Sequence, residues 1–290
     1  MVLPEASANE LLLPANWQDL EKRSSAGPRL GAWDATVAED LDRNLPFSVW
    51  LKLCRQQNLP ANMHGRIVCA TWLRALLLGR EAETKKLSSA LAACYPSCAK
   101  KILEYDSAPT GPAKQWALAR LILENYGMSP YVGSGIPRMG QEINQFEWYQ
   151  NNFWLPLEPK DSAAAKEDSD YYHWNSTMEP NGNQNADLMA GYYKFGIKRL
   201  LTTREQHDAE RERIQLDKVH PSKLLGEAVL SWAQLHPEDP DLPQLLYEVV
   251  KLPLWSGSSK TGSLYSKKAF QLLHAHYPHN KLTAKLHYSY

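Results

Sequence analysis

The sequence lacks an excess of charge of either sign. Lysine plus arginine and aspartate plus glutamate each total 32 residues, so the formal net charge is zero. A general nucleic-acid binder ordinarily carries a surplus of cations that meet the phosphates. The balance therefore predicts no nucleic-acid partner for the chain as a whole, although a local basic patch remains compatible with it.

Long apolar runs and a secretory leader are missing as well. No stretch approaches the roughly 20 consecutive apolar residues that a membrane helix needs, so the sequence predicts no membrane span. The opening Met-Val-Leu-Pro-Glu lacks the basic start and apolar core of a signal peptide. Two interpretations stay open, a cytoplasmic protein and a chain whose leader was removed and replaced by Met1. Whether the 290 residues are the whole native chain is open for the same reason.

Cysteine is scarce, with four residues in the chain. Cys54 and Cys69 lie among apolar residues at helical spacing, where cysteine usually serves as a small hydrophobic side chain. Cys94 and Cys98 are close enough in sequence for a local disulfide in an oxidising compartment, and whether they are oxidised stays open. A zinc site needs two close pairs of Cys or His ligands. The sequence therefore predicts no zinc site and indicates no cofactor.

Helical periodicity is what the chain has in abundance. Between residues 46 and 127, and again after residue 190, apolar side chains recur at the positions that form one face of a helix. Sustained alternation of apolar and polar residues is missing, so we expect little strand. The sequence predicts an all-α fold of antiparallel helix pairs, with residues 46–290 as one continuous domain. Its parts are an extended lead-in (1–45), a helical region (46–127), an aromatic and polar loop insertion (128–190) and helical hairpins (191–290).

Three segments carry more specific expectations. The run from His64 to Leu78 is apolar almost all round, which predicts a buried helix that ends at Gly79. The charged run 202–218 predicts a solvated helix. The Lys260-Thr261-Gly262 segment lies in a Gly/Ser-rich stretch, which predicts a turn before a helix over residues 267–277.

Two C-terminal stretches repeat one design. In each, a helix ends in His or Tyr followed by Pro, and a new helix follows; the His236-Pro237 and Tyr277-Pro278 junctions lie 41 residues apart. That spacing is in the range of helical-hairpin repeats. The design resembles the helix, Tyr-Pro-x-Ser/Asn, helix junction of tetratricopeptide repeats in bacterial envelope proteins such as the outer-membrane assembly lipoproteins. More loosely, residues 46–290 are similar to the C-terminal part of large uncharacterised bacterial envelope proteins.

The resemblance implies both an architecture and a role. It implies an α-solenoid in the C-terminal third, a location in the periplasm or cell envelope, and a non-catalytic scaffold that holds another macromolecule. The full Trp-Leu-Gly-Tyr-Ala-Phe-Pro register of a strict tetratricopeptide repeat is missing from this chain. A regular superhelix therefore stays open.

Aromatic side chains are concentrated in the loop insertion, at residues 146–154 and 171–174. Aromatic faces can stack on sugar rings or on peptides, and Trp and Tyr dominate binding hot spots. The alternative is a small satellite core that anchors the loop. On the first interpretation the chain binds a protein, or a glycan, where the loop meets the helical body. The candidate binding residues are Trp148, Tyr149, Trp154, Tyr171 and Trp174.

An enzyme is the competing hypothesis. Ser97 and Lys100 match an S-x-x-K motif, and Lys260 opens a K-T-G motif. With Tyr149 and Asn151 in place of the intermediate motif, this order resembles penicillin-binding proteins and serine β-lactamases. The resemblance implies that Ser97 attacks an acyl group and that Lys100 takes its proton. That family places K-T-G on an edge strand, whereas the sequence here predicts a turn, so we favour the non-catalytic role.

Histidines gather near the C-terminus. His274, His276 and His279 fall close together, and imidazole is the commonest metal ligand. No Asp or Glu follows Gly262, so no local carboxylate completes a catalytic site. The alternative interpretation, a solvated helix end, is the one we favour, and the sequence predicts no metal.

Overall fold

The computed structural model describes residues 45–56, 61–125, 128, 201–216, 218–219, 221–252 and 260–286. Over these ranges 78% of the residues are helical and none lies in a strand, which confirms the predicted all-α class. None of the helices described is long and apolar enough to cross a bilayer. The described ranges contain 3-10 turns at Pro96–Cys98 and Thr283–Lys285 and nine α-helices: α1 (Phe47–Leu53), α2 (Ala61–Leu77), α3 (Glu81–Cys94), α4 (Ala99–Ser107), α5 (Pro112–Leu123), α6 (Thr203–Leu216), α7 (Pro221–Leu235), α8 (Leu242–Lys251) and α9 (Lys260–His276).

These helices belong to two compact units. The first unit contains α1, the start of α2, and α6. The second contains the rest of α2 together with α3, α4, α5, α7, α8 and α9. Each unit is described by itself below.

In the first unit a buried carboxylate closes the N-terminus of α1. Pro46, which precedes the helix, makes no side-chain cap. The Phe47 N–H instead donates to the Glu212 carboxylate of α6 over 2.6 Å, and Glu212 is only 7% exposed. A negative charge is favourable there because the first N–H groups of a helix are unpaired and the macrodipole is positive. The segment 202–218 is thus helical as predicted, but the expectation of a solvated helix is wrong for the face that carries Ala209 and Glu212.

A reciprocal cap begins α6. The Glu205 N–H donates to the Thr202 hydroxyl over 3.2 Å, and the Thr202 N–H donates back to the Glu205 carboxylate over 3.0 Å. Lys52 of α1 forms an ion pair with the same carboxylate at 3.2 Å. Burial alone would raise the pKa of Glu205, but hydrogen bonds from Thr202 and Lys52 outweigh it and leave the pKa below its ordinary value. Glu205 therefore fixes the start of α6 and ties α6 to α1.

The second unit is built from helices packed in chain order. α3 packs on α4, α4 on α5, and α5 on α7, while α7, α8 and α9 pack on one another. Helices such as α4 and α9 contribute one apolar face, as the periodicity predicts, whereas residues 68–75 of α2 are buried on all sides, as its almost wholly apolar sequence predicts. Fully buried core residues of this unit include Trp72, Leu91, Ile122, Val229, Leu246 and Leu273.

Two predicted helix boundaries have different outcomes. The buried helix ends as expected, because α2 stops at Leu77 and Gly79 adopts a left-handed φ of 68° that suits glycine. The predicted turn at Lys260-Thr261-Gly262 is wrong, because these residues form the first turn of α9. Ser266 is buried there and donates to the Val250 carbonyl of α8 over 2.8 Å. Packing against α8 thus overrides the weak helix propensity of the Gly/Ser-rich sequence.

Candidate functional site

The aromatic residues proposed to bind a partner lie outside the described residues. Trp148, Tyr149, Trp154, Tyr171 and Trp174 all fall between residues 129 and 200. Their assignment to a binding surface, and the alternative of a satellite core, both stay predictions.

The acyl-serine residues are described in part. Ser97 is exposed in the 3-10 turn before α4, with its hydroxyl 3.9 Å from the Cys98 sulfur. The Lys100 side chain is 89% exposed, and its Nζ lies 3.9 Å from the Glu104 carboxylate. Lys260 begins α9 rather than a strand, and Asn151 lies outside the described residues, as does Tyr149. The helical setting of Lys260 differs from the edge strand that this hypothesis requires.

The C-terminal histidines lie against aromatic rings. His274 stacks on Phe270 of α9 with ring centroids 4.1 Å apart, and His276 lies 6.4 Å from the Tyr277 ring. Within the part of the chain that the structure describes, no three His, Cys, Asp or Glu side chains are close enough to hold a metal ion. His274, His276 and His279 therefore do not form such a group among themselves.

The four cysteines, which all fall within the described residues, are not joined in disulfides. The Cys98 thiol is buried and donates to the Asn125 side-chain oxygen over 3.2 Å, and Cys94 is half-buried. Burial raises the pKa of the Cys69 thiol, and the neighbouring Cys98 and Cys94 raise it further. A neutral, buried thiol is a poor nucleophile, which fits the predicted role of Cys69 as a small hydrophobic side chain.

The helix–Pro–helix junctions share one backbone geometry. At Tyr95, His236 and Tyr277 the N–H donates back four residues into the preceding helix, over 2.9, 2.8 and 2.9 Å. The carbonyl of the same three residues then accepts the N–H three positions on, over 3.0, 3.1 and 3.0 Å. The Tyr95-Pro96 junction was missed as a third copy, although its signal, an aromatic residue before proline at a helix end, is present in the sequence.

The second and third junctions also share a side-chain turn. The Asp239 carboxylate accepts the Asp241 N–H over 2.9 Å, and the Asn280 side-chain oxygen accepts the Leu282 N–H over 2.9 Å. Asp and Asn suit this position because their short side chains can accept from the backbone two residues on. The Tyr277 hydroxyl donates to the Pro237 carbonyl, so the two junctions are in direct contact.

A column of stacked rings joins α5 to α7. The Trp116 and Trp232 indoles are nearly parallel, with centroids 5.3 Å apart, and the His236 ring lies 3.9 Å from the Trp232 ring at an angle of 33°. The Trp232 indole N–H donates to the Asp239 carboxylate over 2.8 Å. Arg120 of α5 also contacts the turn that follows His236-Pro237, because it forms an ion pair with Asp241 at 2.8 Å. The second junction is thereby fixed from the α5 side as well.

The helices α7 and α9 run in the same direction. Near their starts Gly226 meets Tyr265, so closely that a β-carbon on Gly226 would lie 2.8 Å from the Tyr265 β-carbon. Beyond their ends the Tyr277 hydroxyl reaches Pro237. Paired positions on the two helices are therefore about 40 residues apart in sequence, close to the spacing of the two junctions.

An open groove of about 550 Å³ runs between α7 and α9. At one end the Tyr265 hydroxyl donates to the Glu227 carboxylate over 2.6 Å, and this hydrogen bond raises the pKa of Tyr265 to about 12. Both helices contribute polar and apolar residues to the walls. The groove is lined by Glu227, Leu230, Ser231 and Gln234 of α7 and by Tyr265, Lys268, Gln271, Leu272 and Ala275 of α9. We call this the α7/α9 groove.

Sequence reasoning missed the groove because no local pattern marks it. Ser231, Gln234 and Gln271 look like ordinary solvated positions of amphipathic helices. They form one surface only because α7 and α9 are parallel neighbours. That arrangement requires α8, which lies between them in the sequence, to lead the chain back toward the start of α7.

Comparison of this chain with protein-family models, with curated proteins and with solved structures finds no match.

Proposed function

We propose that the protein is a non-catalytic interaction protein, a scaffold that binds another protein on the surface of its helical hairpins. The observation that carries the proposal is the α7/α9 groove. Its polar side chains Ser231, Gln234 and Gln271 make no hydrogen bond with any described residue, and its leucines, Leu230 and Leu272, are only half-buried. A surface that binds a protein combines both kinds of group, because hydrogen bonds to polar side chains orient the ligand and burial of apolar side chains supplies affinity.

We infer further that the hairpins form an α-solenoid of the tetratricopeptide kind. Support comes from the equal backbone geometry at Tyr95, His236 and Tyr277 and from the parallel course of α7 and α9. Helical repeats of this type stack equivalent helices side by side and expose a continuous binding surface. A location in the bacterial envelope belongs to the same proposal and rests on the junction resemblance.

A site-specific photocrosslinker tests the proposed function. A photoreactive residue in place of Gln234, inside the groove, is compared in the native host with one in place of the exposed Lys86 of α3. We expect a discrete crosslinked protein from the groove position and not from the control position. Equal crosslinking from both positions, or none from either, would contradict a dedicated binding groove.

The aromatic insertion has its own test within the proposal. Alanine replaces Trp148, Trp154 and Trp174 one at a time, and both melting temperature and partner capture are measured. A side chain on the binding surface leaves melting nearly unchanged and weakens capture, whereas a core tryptophan costs about 3–5 kcal/mol of stability when truncated. Unfolding of all three variants would assign the insertion to packing.

A fluorescent penicillin provides the contrary test. Covalent labelling that disappears in Ser97→Ala would replace the scaffold proposal with an acyl-serine enzyme. We expect no labelling, because Lys260 lies in a helix and the strand that presents a substrate in that enzyme family is not found at this position.

A further inference from the structure

The C-terminal segment is strongly basic although the whole chain is neutral. From Lys260 to the end the sequence contains five lysines and no aspartate or glutamate. Some lysines of other helices, such as Lys101 and Lys251, form ion pairs with carboxylates, whereas others, such as Lys86 and Lys223, form none with a described residue. None of the described C-terminal lysines forms one with any described residue: Lys267, Lys268, Lys281 and Lys285. The last part of a balanced chain thus supplies cations and no anions, and the nearby carboxylates, such as Glu227, come from α7 and its junction.

One of these lysines lies in the α7/α9 groove. Lys268 is exposed on the α9 wall, between Tyr265 and Gln271. Ser231, Gln234 and Gln271 also make no hydrogen bond within the described chain. Together they offer one cation and three groups that both donate and accept hydrogen bonds.

The groove also has an apolar part. Leu230 of α7 and Leu272 of α9 are half-buried, so each still exposes part of its side chain to the groove. Amide and hydroxyl side chains are suited to the N–H and C=O groups of a peptide backbone, and partly covered leucines are suited to an apolar side chain. The same groove thus offers hydrogen-bonding groups suited to a peptide main chain, leucines suited to an apolar side chain and the Lys268 ammonium suited to an anion.

We propose that the α7/α9 groove binds an extended acidic peptide segment of a partner protein. A carboxylate of the peptide pairs with Lys268, the peptide main chain hydrogen-bonds to Gln234 and Gln271, and an apolar side chain rests on Leu272. This inference rests on the proposed scaffold function and names the partner chemistry at that site.

The dimensions of the groove set the length of the segment. Tyr265 and Ala275 are the first and last lining residues of α9, ten residues apart, which at about 1.5 Å per residue is about 15 Å. An extended peptide rises about 3.3 Å per residue, so about five residues fill the groove. Successive side chains of an extended peptide point to opposite sides, so apolar residues can face the leucines while acidic ones reach the flexible Lys268 on the wall.

The charges favour a peptide over a nucleic acid. The Glu227 carboxylate lies in the same groove and would repel the evenly spaced phosphates of a nucleic-acid backbone. A single cation in the groove also gives little of the electrostatic affinity that nucleic-acid binding needs. A peptide can place a neutral residue beside Glu227 and an acidic one beside Lys268.

Fluorescence anisotropy with a defined probe tests the proposal. The probe is a fluorescein-labelled peptide of leucine and serine with a single central aspartate, and its control carries asparagine in place of that aspartate. The variants are Lys268→Glu and Lys267→Glu, which reverse adjacent exposed charges of which only Lys268 lines the groove. Gln271→Ala removes a hydrogen-bonding group without a change of charge.

We expect the aspartate peptide to bind the full chain and the asparagine peptide to bind more weakly. Lys268→Glu should weaken the aspartate peptide about five- to tenfold, since it replaces an ion pair by a repulsion of similar size. Lys267→Glu should change the affinity less than about twofold, because that charge is outside the groove and screened by solvent. Gln271→Ala should weaken both peptides alike.

Three results would overturn the proposal. The first is no binding of the aspartate peptide at about 1 mM, the weak limit of specific recognition. The second is an equal loss in Lys267→Glu and Lys268→Glu, which would assign binding to diffuse charge. The third is tighter, Lys268-dependent binding of a single-stranded oligonucleotide or of phosphatidylglycerol vesicles. If the groove crosslink to a partner persists in Lys268→Glu, the scaffold function stands and only the acidic-peptide inference fails.

Discussion

Gly226→Ala is the substitution that most directly tests the packing on which the α7/α9 groove depends. A β-carbon built on Gly226 would lie 2.8 Å from the β-carbon of Tyr265, 2.9 Å from its γ-carbon and 3.0 Å from its δ1-carbon. Carbon atoms pack best at about 3.5–4.0 Å. Rotation of the Tyr265 ring cannot relieve the closest contact, because a β-carbon is fixed to the backbone. The helices must therefore separate by several tenths of an ångström.

Two opposing effects set the magnitude. Alanine in place of a helical glycine would by itself stabilise α7 by about 0.5–1 kcal/mol. Overpacking of a close contact typically costs about 1–3 kcal/mol. The clash prevails, and we expect a net loss of about 1–2 kcal/mol, combining the two ranges. For a chain of this size such a loss corresponds to a fall in melting temperature of about 2–8 °C.

Thermal unfolding followed by circular dichroism measures this effect. Ser231→Ala, at an exposed position of the same helix, is the matched control and should be neutral or slightly stabilising. Tyr265→Ala removes two of the three close carbons, so Gly226→Ala should be less harmful in that background. A stabilised Gly226→Ala protein would show that α7 and α9 are not in close contact and would remove the basis of the groove.

Three further outcomes follow from individual contacts. Trp116→Ala should cost about 3–5 kcal/mol in urea unfolding, because a buried indole stacked on α7 is lost. Thr202→Ala should cost about 1 kcal/mol at neutral pH through loss of the cap. Since the folded-state pKa of Glu205 is lowered, the stabilisation by its carboxylate is full above its ordinary pKa and is lost as pH falls through the folded value. The difference between the urea midpoints of wild type and Thr202→Ala should therefore narrow in acid without vanishing, because the Thr202 hydroxyl of the wild type still accepts the Glu205 N–H. Carbon NMR of labelled tyrosine should show Tyr265 ionising near pH 12, and Glu227→Gln should lower that pKa toward 10.

The local features of the fold were accessible from sequence. Apolar periodicity predicts the helices, and a Tyr or His followed by Pro predicts where a helix stops and the next begins. The junctions at His236 and Tyr277 have nearly the same backbone hydrogen bonds, as their matching sequences indicate. The glycine stop at Gly79 is also where it was expected. These signals act over a few residues, which is why they can be read along the chain.

Features that depend on distant partners were not accessible. Glu212 looks like one more charge of a solvated helix, and only the N-terminus of α1 makes its burial favourable. Lys260 begins a helix because Ser266 packs on α8, although the local sequence favours a turn. The α7/α9 groove escapes prediction for a related reason: the spacing of the junctions indicates a repeat of about 40 residues, but no local pattern indicates which exposed side chains of α7 and α9 line a common surface.

The two contacts that frame the α7/α9 groove also give it the property a binding site needs. At one end Gly226 lets α7 and α9 approach closely, and at the other the Tyr277 hydroxyl holds the Pro237 carbonyl. Trp116 stacks on Trp232 and keeps α7 in place from its other neighbour, α5. Between these contacts Leu230 and Leu272 are half-buried, so part of their apolar surface is open to solvent. Because the walls are already ordered, a ligand that enters loses little free energy in ordering them. The peptide proposed for this groove therefore needs few contacts, and the pairing of its carboxylate with Lys268 is the one that sets its charge.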